Sequence, residues 1–201
     1  MTIRLLVTGF TPFPGAPHNP TERLIRHFEA NPPFVGSDVE CRFAVLPVDY
    51  ADTIPALEDV ASTFEPHVAV HFGLAKTAVG FRLERLARNA IASDAPDNAG
   101  NIPEASPILR NADDIPSSLP LARIAEALEE RGHTVEWSDN AGGYLCNYVF
   151  FHSAAGLCRG LAASVNGFVH VGPANAAEDF NKMVEGAETI LEICVSEARG
   201  M

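Results

Sequence analysis

Residues 3–28, IRLLVTGFTPFPGAPHNPTERLIRHF, read as a strand, a loop and a helix in that order. Ile3 to Thr8 is an apolar run of the kind that suits a strand buried on both faces. Gly9 to His18 is rich in proline and glycine and reads as a loop. Three signals then agree on a helix start: Asn19 as N-cap, Pro20 at the first helical position and Glu22 at the third. Leu24, Ile25 and Phe28 give that helix one apolar face.

The same alternation continues along the chain. Cys41 to Pro47 reads as a second strand, and Ile54, Leu57, Ala61 and Phe64 mark a second helix. Val68 to Phe72 is a third apolar strand, ending at Gly73. Residues 74–119 are less regular and predict a long ordered loop or a small excursion, in which Glu84 has the bland reading of a solvated or ion-paired helix residue. Leu121 to Arg131 reads as a helix closed by Gly132, Thr134 to Trp137 as a short strand, and Tyr144 to Leu157 as a buried helix. Gly167 to Val171 is another buried strand. Met183, Ala187, Ile190 and Cys194 recur at helical spacing in a last helix starting near Ala174. Strands alternating with helices predict an α/β layer fold, with a largely parallel sheet and helices on both faces.

Bulk composition narrows the function. A length of 201 residues predicts one domain, spanning 1–201. The net charge of -12 and the lack of a basic stripe argue against a nucleic-acid partner. No apolar run approaches the roughly 18 residues needed to span a membrane. MTIRLLVTGF lacks the apolar length and cleavage site of a secretory signal, so the expectation is a cytoplasmic protein with no membrane partner. The four cysteines, Cys41, Cys146, Cys158 and Cys194, form no C-x-x-C pair. One is a candidate nucleophile, and the others read as small core residues.

In such sheets the chemistry lies beyond the carboxyl ends of the strands. Cys146 follows NAGGYL near the start of the buried helix. There a helix N-terminus and a nearby imidazolium would favour a thiolate. Gly142 and Gly143 allow close backbone approach, and neighbouring amides offer an oxyanion site. The competing reading is a buried small hydrophobe. His170 sits between Val169 and Val171 at a strand's carboxyl end, as a general base or as a core histidine. No G-x-S-x-G elbow and no H-E-x-x-H occur, and His67 and His71 lie in or beside a strand, where their spacing makes no helical metal pair.

Four blocks together resemble the pyroglutamyl peptidase I (pyrrolidone carboxyl peptidase) family. VTGFTPFPGAPHNPTERL is similar to its GF-x-PFGG opening followed by NP-[ST]. HFGLAKTAVGFRLERLARNAIASDAPDNAG resembles its glutamate region, with the ERxAxN core and a downstream PDNxG. SDNAGGYLCNYVFFHS resembles the cysteine signature and GFVHV the histidine strand. The blocks keep the family's order and spacing from about residue 3 to 172. The resemblance implies Cys146 as nucleophile, His170 as its partner, Glu84 as the acid, and Phe10 with Phe13 as the aromatic pair lining a pyroglutamate pocket. It also implies a three-layer α/β/α sandwich and removal of an N-terminal 5-oxoproline from peptides by a Cys-His-Glu triad via a thioester. Tetrameric assembly and no need for a metal or organic cofactor are implied with it.

Three positions depart from the family pattern. Pro14 stands for the first glycine of PFGG, Ala78 for an arginine, with Arg82 close by in sequence, and Gly172 displaces the proline of HVP by one. These changes fall in loops expected around the pocket. They leave two alternatives open: a diverged thiol amidase on another small acyl amide, or a catalytically weak protein that binds pyroglutamyl ends.

Overall fold

The computed structural model describes residues 2–201. Eight strands and five helices follow the chain: β1 Ile3–Phe10, α1 Pro20–Ala30, β2 Val39–Leu46, α2 Thr53–Phe64, β3 Val68–Leu74, β4 Phe81–Glu84, β5 Leu86–Ala87, β6 Ile115–Pro116, α3 Leu121–Glu130, β7 Val135–Ser138, α4 Leu145–Ala154, β8 Val165–Val171 and α5 Ala177–Arg199. The main sheet has the order β2-β1-β3-β8-β4-β7, and β5 pairs with β6 in a small second sheet. Of the main sheet's pairings only β4 against β8 is antiparallel.

Two apolar layers sandwich the sheet. One face packs Leu5, Val7, Val70 and Val169 against α1, α3 and α5, through Phe28, Leu128 and Ile190. The other packs Leu6, Phe10, Ala69 and Phe168 against α2 and α4, through Leu57, Phe64 and Phe150. The expected α/β/α sandwich is therefore the observed one. The α1 start also forms as expected: the Asn19 side chain accepts from Thr21 N at 3.1 Å.

The largest difference lies within 74–119. The segment FRLE is a strand, β4, inserted between β8 and β7. Glu84 is thus a strand residue, fully buried, and not part of a solvated helix. The following stretch is tied down by Asn147, whose Oδ1 accepts from Arg88 N while its Nδ2 donates to the carbonyls of Arg88 and Ala90. Those bonds draw the backbone onto α4 and occupy groups a helix would have used internally.

Chain order also places a crevice. From β1 the chain runs through α1 to β2 on one side, then through α2 to β3 on the other side of β1. The carboxyl ends of β1 and β3 therefore diverge at a topological switch point, where open α/β sheets take ligands.

Candidate active site

At that point lies a cavity of about 150 Å³, lined by Phe10, Phe13, Asn19, Val48, Leu74, Ala141, Tyr144, Leu145, Cys146 and His170. Six segments contribute: the exits of β1, β2 and β3, the starts of α1 and α4, and the end of β8. Cys146 occupies the second position of α4 and is partly exposed. No side chain caps this helix end, which leaves its first amides available to an anion.

Register explains how His170 and Glu84 meet. Gly73 of β3 pairs with His170 of β8, which pairs on its other side with Arg82 of β4. Because β4 runs antiparallel to β8, Glu84 lies opposite Phe168, one pleat deeper in the sheet than His170. There His170 donates Nδ1–H to Glu84 Oε1 over 2.8 Å. A carboxylate can only accept, so this bond fixes the imidazole orientation and leaves Nε2 for the cavity. Glu84 Oε2 has no partner, which makes the imidazole the sole compensation for this buried acid among the described residues. Burial pulls the His170 pKa down, but Cys146 and Glu84 favour the cation more strongly and raise it to about 9.

A second buried chain of hydrogen bonds ties some of the same elements together. Ser153 Oγ donates to Asn166 Oδ1 at 3.0 Å, so it accepts from His71 Nε2 at 2.8 Å, and His71 Nδ1 accepts from Thr8 Oγ1 at 2.8 Å. Burial lowers the His71 pKa to about 3, consistent with this neutral tautomer. The chain fastens α4 across β1, β3 and β8. His67 is engaged separately, its Nδ1 accepting from Arg4 N at 3.0 Å.

Gly73 sets how closely Cys146 approaches the sheet. A Cβ there would lie 2.6 Å from the Phe168 ring and 2.9 Å from Cys146 Sγ. Phe168 is fully buried and has no room to retreat. Gly73→Ala is therefore expected to destabilise the fold by about 1–3 kcal/mol. It should also displace the Cys146 thiol from its seat against Gly73. Urea unfolding checks the first effect, and the rate of thiol alkylation on the same preparation the second.

Phe10 and Phe13, singled out in the sequence, both line the cavity. Phe10 is buried against Phe168, with ring centroids 6.3 Å apart, and Phe13 packs on Tyr144 at 6.2 Å. Tyr144, Leu74 and Val48 were not anticipated. Tyr144 is adjacent to the cysteine block, and its proximity to Cys146 was the available signal; burial pushes its phenol up to about 12, and it donates to Pro96 O at 2.9 Å. Leu74 and Val48 are apolar residues at strand exits, indistinguishable in sequence from core. The PDNAG segment supports this wall, with Asn98 N donating to Val48 O and its side chain to Pro12 O.

The three departures do not line this cavity. Pro14 and Gly15 occupy the centre of a turn closed by paired bonds between Phe13 and Ala16, with Gly15 at φ +87°. Proline followed by a positive-φ glycine suits such a turn. Ala78 and Gly172 pack on each other: a Cβ on Gly172 would lie 2.4 Å from Ala78 O. Both face a separate cavity of about 420 Å³. Arg82 does not stand in for the missing arginine, because its guanidinium pairs with Glu136 at 2.8 Å. The two glycines before Cys146 differ in role. Gly143 is packed so tightly on Ala92 that a Cβ would lie 2.2 Å from its carbonyl oxygen, whereas Gly142 at φ +87° faces open space.

The chain as a whole is similar to known proteins. The family profile described as "Pyroglutamyl peptidase" matches residues 3–195. A pyrrolidone-carboxylate peptidase of Pyrococcus furiosus is 37% identical over 170 residues, covering 84% of this chain and 80% of that protein. One from Coprothermobacter proteolyticus is 29% identical over 201 residues, covering 94% and 96%. Among solved structures, pyrrolidone carboxyl peptidase from P. furiosus superposes with a TM-score of 0.88 at 31% identity, covering 98% of this chain and all of the other.

Proposed function

The chain belongs to the pyroglutamyl peptidase family, and on that premise we propose that it hydrolyses the amide bond after an N-terminal 5-oxoproline residue, with Cys146, His170 and Glu84 as its catalytic triad. The observation that carries the assignment is the buried His170–Glu84 pair opening onto a cavity shared with a cysteine at an uncapped helix start. We read residues 1–201 as one catalytic domain.

The chemistry follows from the placement. The Cys146 thiolate attacks the 5-oxoproline carbonyl, and the oxyanion that forms is met by amides of the first turn of α4. His170 gives its proton to the departing amine, leaving a thioester. It then takes a proton from water as that water attacks, and the thiolate is released. Glu84 holds the ring and stabilises its cation without itself taking the proton. A cavity of 150 Å³ is smaller than usual for drug-sized ligands and suits a small acyl group between aromatic walls. The two other readings, a thiol amidase for a different acyl group and a pyroglutamyl-binding protein, are separated from this one by the assay below.

A lactam ring and a prolyl ring fill similar space, but proline carries an ammonium that these walls would desolvate without an acid partner. Pyroglutamyl amides are expected to exceed prolyl amides by at least roughly a hundredfold in kcat/KM. Phe13→Ala should lose rate mainly through KM, since ring contact is similar in ground and transition states. Initial rates with both amides in reducing buffer decide this. Equal rates would remove the lactam pocket. Turnover of neither would favour the amidase or the binder.

A further inference from the structure

Beside the small cavity runs a larger groove of about 590 Å³, and the two share Asn19 and Leu74 as a common wall. The groove is bounded by the Gly15–Arg23 segment, Lys76 and the residues Pro173 to Asn175 that follow β8. His170 lies three residues before Pro173. Of the two, only the cavity is lined by His170, and the groove is the neighbouring space beyond the wall they share.

Its charge is unlike the rest of the molecule. The chain carries a net -12, yet this groove presents Lys76 and Arg23 against Glu22 alone. Among the described residues, Lys76 and Arg23 have no ion-pair partner; Arg42, Arg88, Arg110 and Arg159 also lack one but lie outside the groove, and the other lysine and arginine side chains are paired. Lys76 Nζ stands 5.8 Å from the Phe13 ring centroid and 2.9 Å from where a Cβ on Gly15 would be. It thus sits at the junction of cavity and groove. Arg23 is held farther along, its guanidinium 3.6 Å over the Phe180 ring. Stacking places that cation while leaving its hydrogen-bond donors free.

We propose that this groove is a leaving-side subsite that selects a carboxylate on the departing portion of the substrate, with Lys76 as its first contact and Arg23 as its second. The inference rests on the pyroglutamyl peptidase reading and names the substrate class within it. A carboxylate can come from two sources: the free C-terminus of a pyroglutamyl dipeptide, or an acidic side chain on the first residue released. A chain of net -12 repels anions at long range, so a preference for the anion has to originate in these local cations.

The test is kcat/KM on two matched pairs, at low and high salt. Pyroglutamyl-alanine is compared with its C-terminal amide, and pyroglutamyl-glutamate amide with pyroglutamyl-glutamine amide. The carboxylate member of at least one pair is expected to lead by roughly fivefold, the scale of one partly exposed ion pair. That lead should shrink as salt is raised and fall toward unity in Lys76→Gln combined with Arg23→Gln. It should persist in Lys182→Gln, where the lysine already pairs with Glu178 outside the groove. A lead in the first pair identifies the terminal carboxylate, and a lead in the second the acidic side chain. Cleavage of all four compounds without a charge preference, or a preference unchanged in the Lys76→Gln, Arg23→Gln protein, overturns the subsite and leaves the peptidase reading standing. Cleavage of none overturns both.

Discussion

Cys146→Ala is expected to lower pyroglutamyl amide turnover by at least roughly 10⁴-fold while leaving a folded protein, because a covalent route has no substitute for its nucleophile. The other three thiols are the internal controls. Burial pushes Cys158 up to about 12 and also raises Cys194 and the half-buried Cys41. Each therefore stays protonated at neutral pH, away from the cavity. Cys158→Ser and Cys194→Ser should cost stability, since both are packed in the core, yet retain turnover in whatever fraction is folded. Circular dichroism with active-site kinetics separates the two kinds of loss. Near-wild-type turnover in Cys146→Ala would end the thioester mechanism.

Glu84→Gln is the second large effect. The amide can still accept from His170 Nδ1, so the ring keeps its direction, but the negative charge that stabilises the cation is gone. A kcat loss of at least roughly a hundredfold is expected. The variant should still fold, at a cost of about 1–3 kcal/mol, because its amide nitrogen takes the buried place of the unpartnered carboxylate oxygen. The pH profile supplies the mechanistic readout. In the wild type the imidazolium persists until pH rises through about 9, and above that value the proton needed by the leaving amine is lost. Burial remains in the variant while one of the groups favouring the cation is removed, so the alkaline limb of kcat/KM should move to lower pH. An unchanged limb with unchanged kcat would make Glu84 a structural residue.

Much of the fold could be read from residue patterns because its central units are local. A capped helix start at Asn19 and Pro20, buried strands at residues 3–8, 68–72 and 167–171, and the spacing of Met183 to Cys194 all reflect periodicities set by burial on one or two faces. Ends differ by a few residues where backbone freedom intervenes. The helix expected to reach Leu157 stops at Ala154, ahead of Gly156 at φ +65°. The strand β4 was hidden for a different reason. Phe81 and Leu83 alternate with Arg82 and Glu84, and alternation ordinarily sends charges to solvent. Here Glu84 turns to His170 and Arg82 to Glu136, and the antiparallel partner β8 lies more than eighty residues away.

The site divides along the same line. Cys146 and His170 were candidates from position, at a helix start and a strand exit, but there a core cysteine and a core histidine were the stronger readings, and the family resemblance turned the choice. Glu84 had no local signature and depended on the family resemblance, because its contact with His170 arises from an antiparallel register. Tyr144, Leu74 and Val48 line the cavity through convergence of distant segments, which leaves no pattern in any one of them.

The most direct test of the central claim is alkylation of the wild-type protein with a thiol-directed pyroglutamyl analogue, followed by peptide mass mapping and release of a fluorescent amine from its pyroglutamyl amide. The account predicts one equivalent of label, located on Cys146, with activity falling in proportion to labelling and protection by a pyroglutamyl competitor. Full activity in protein labelled stoichiometrically at Cys146 would contradict it.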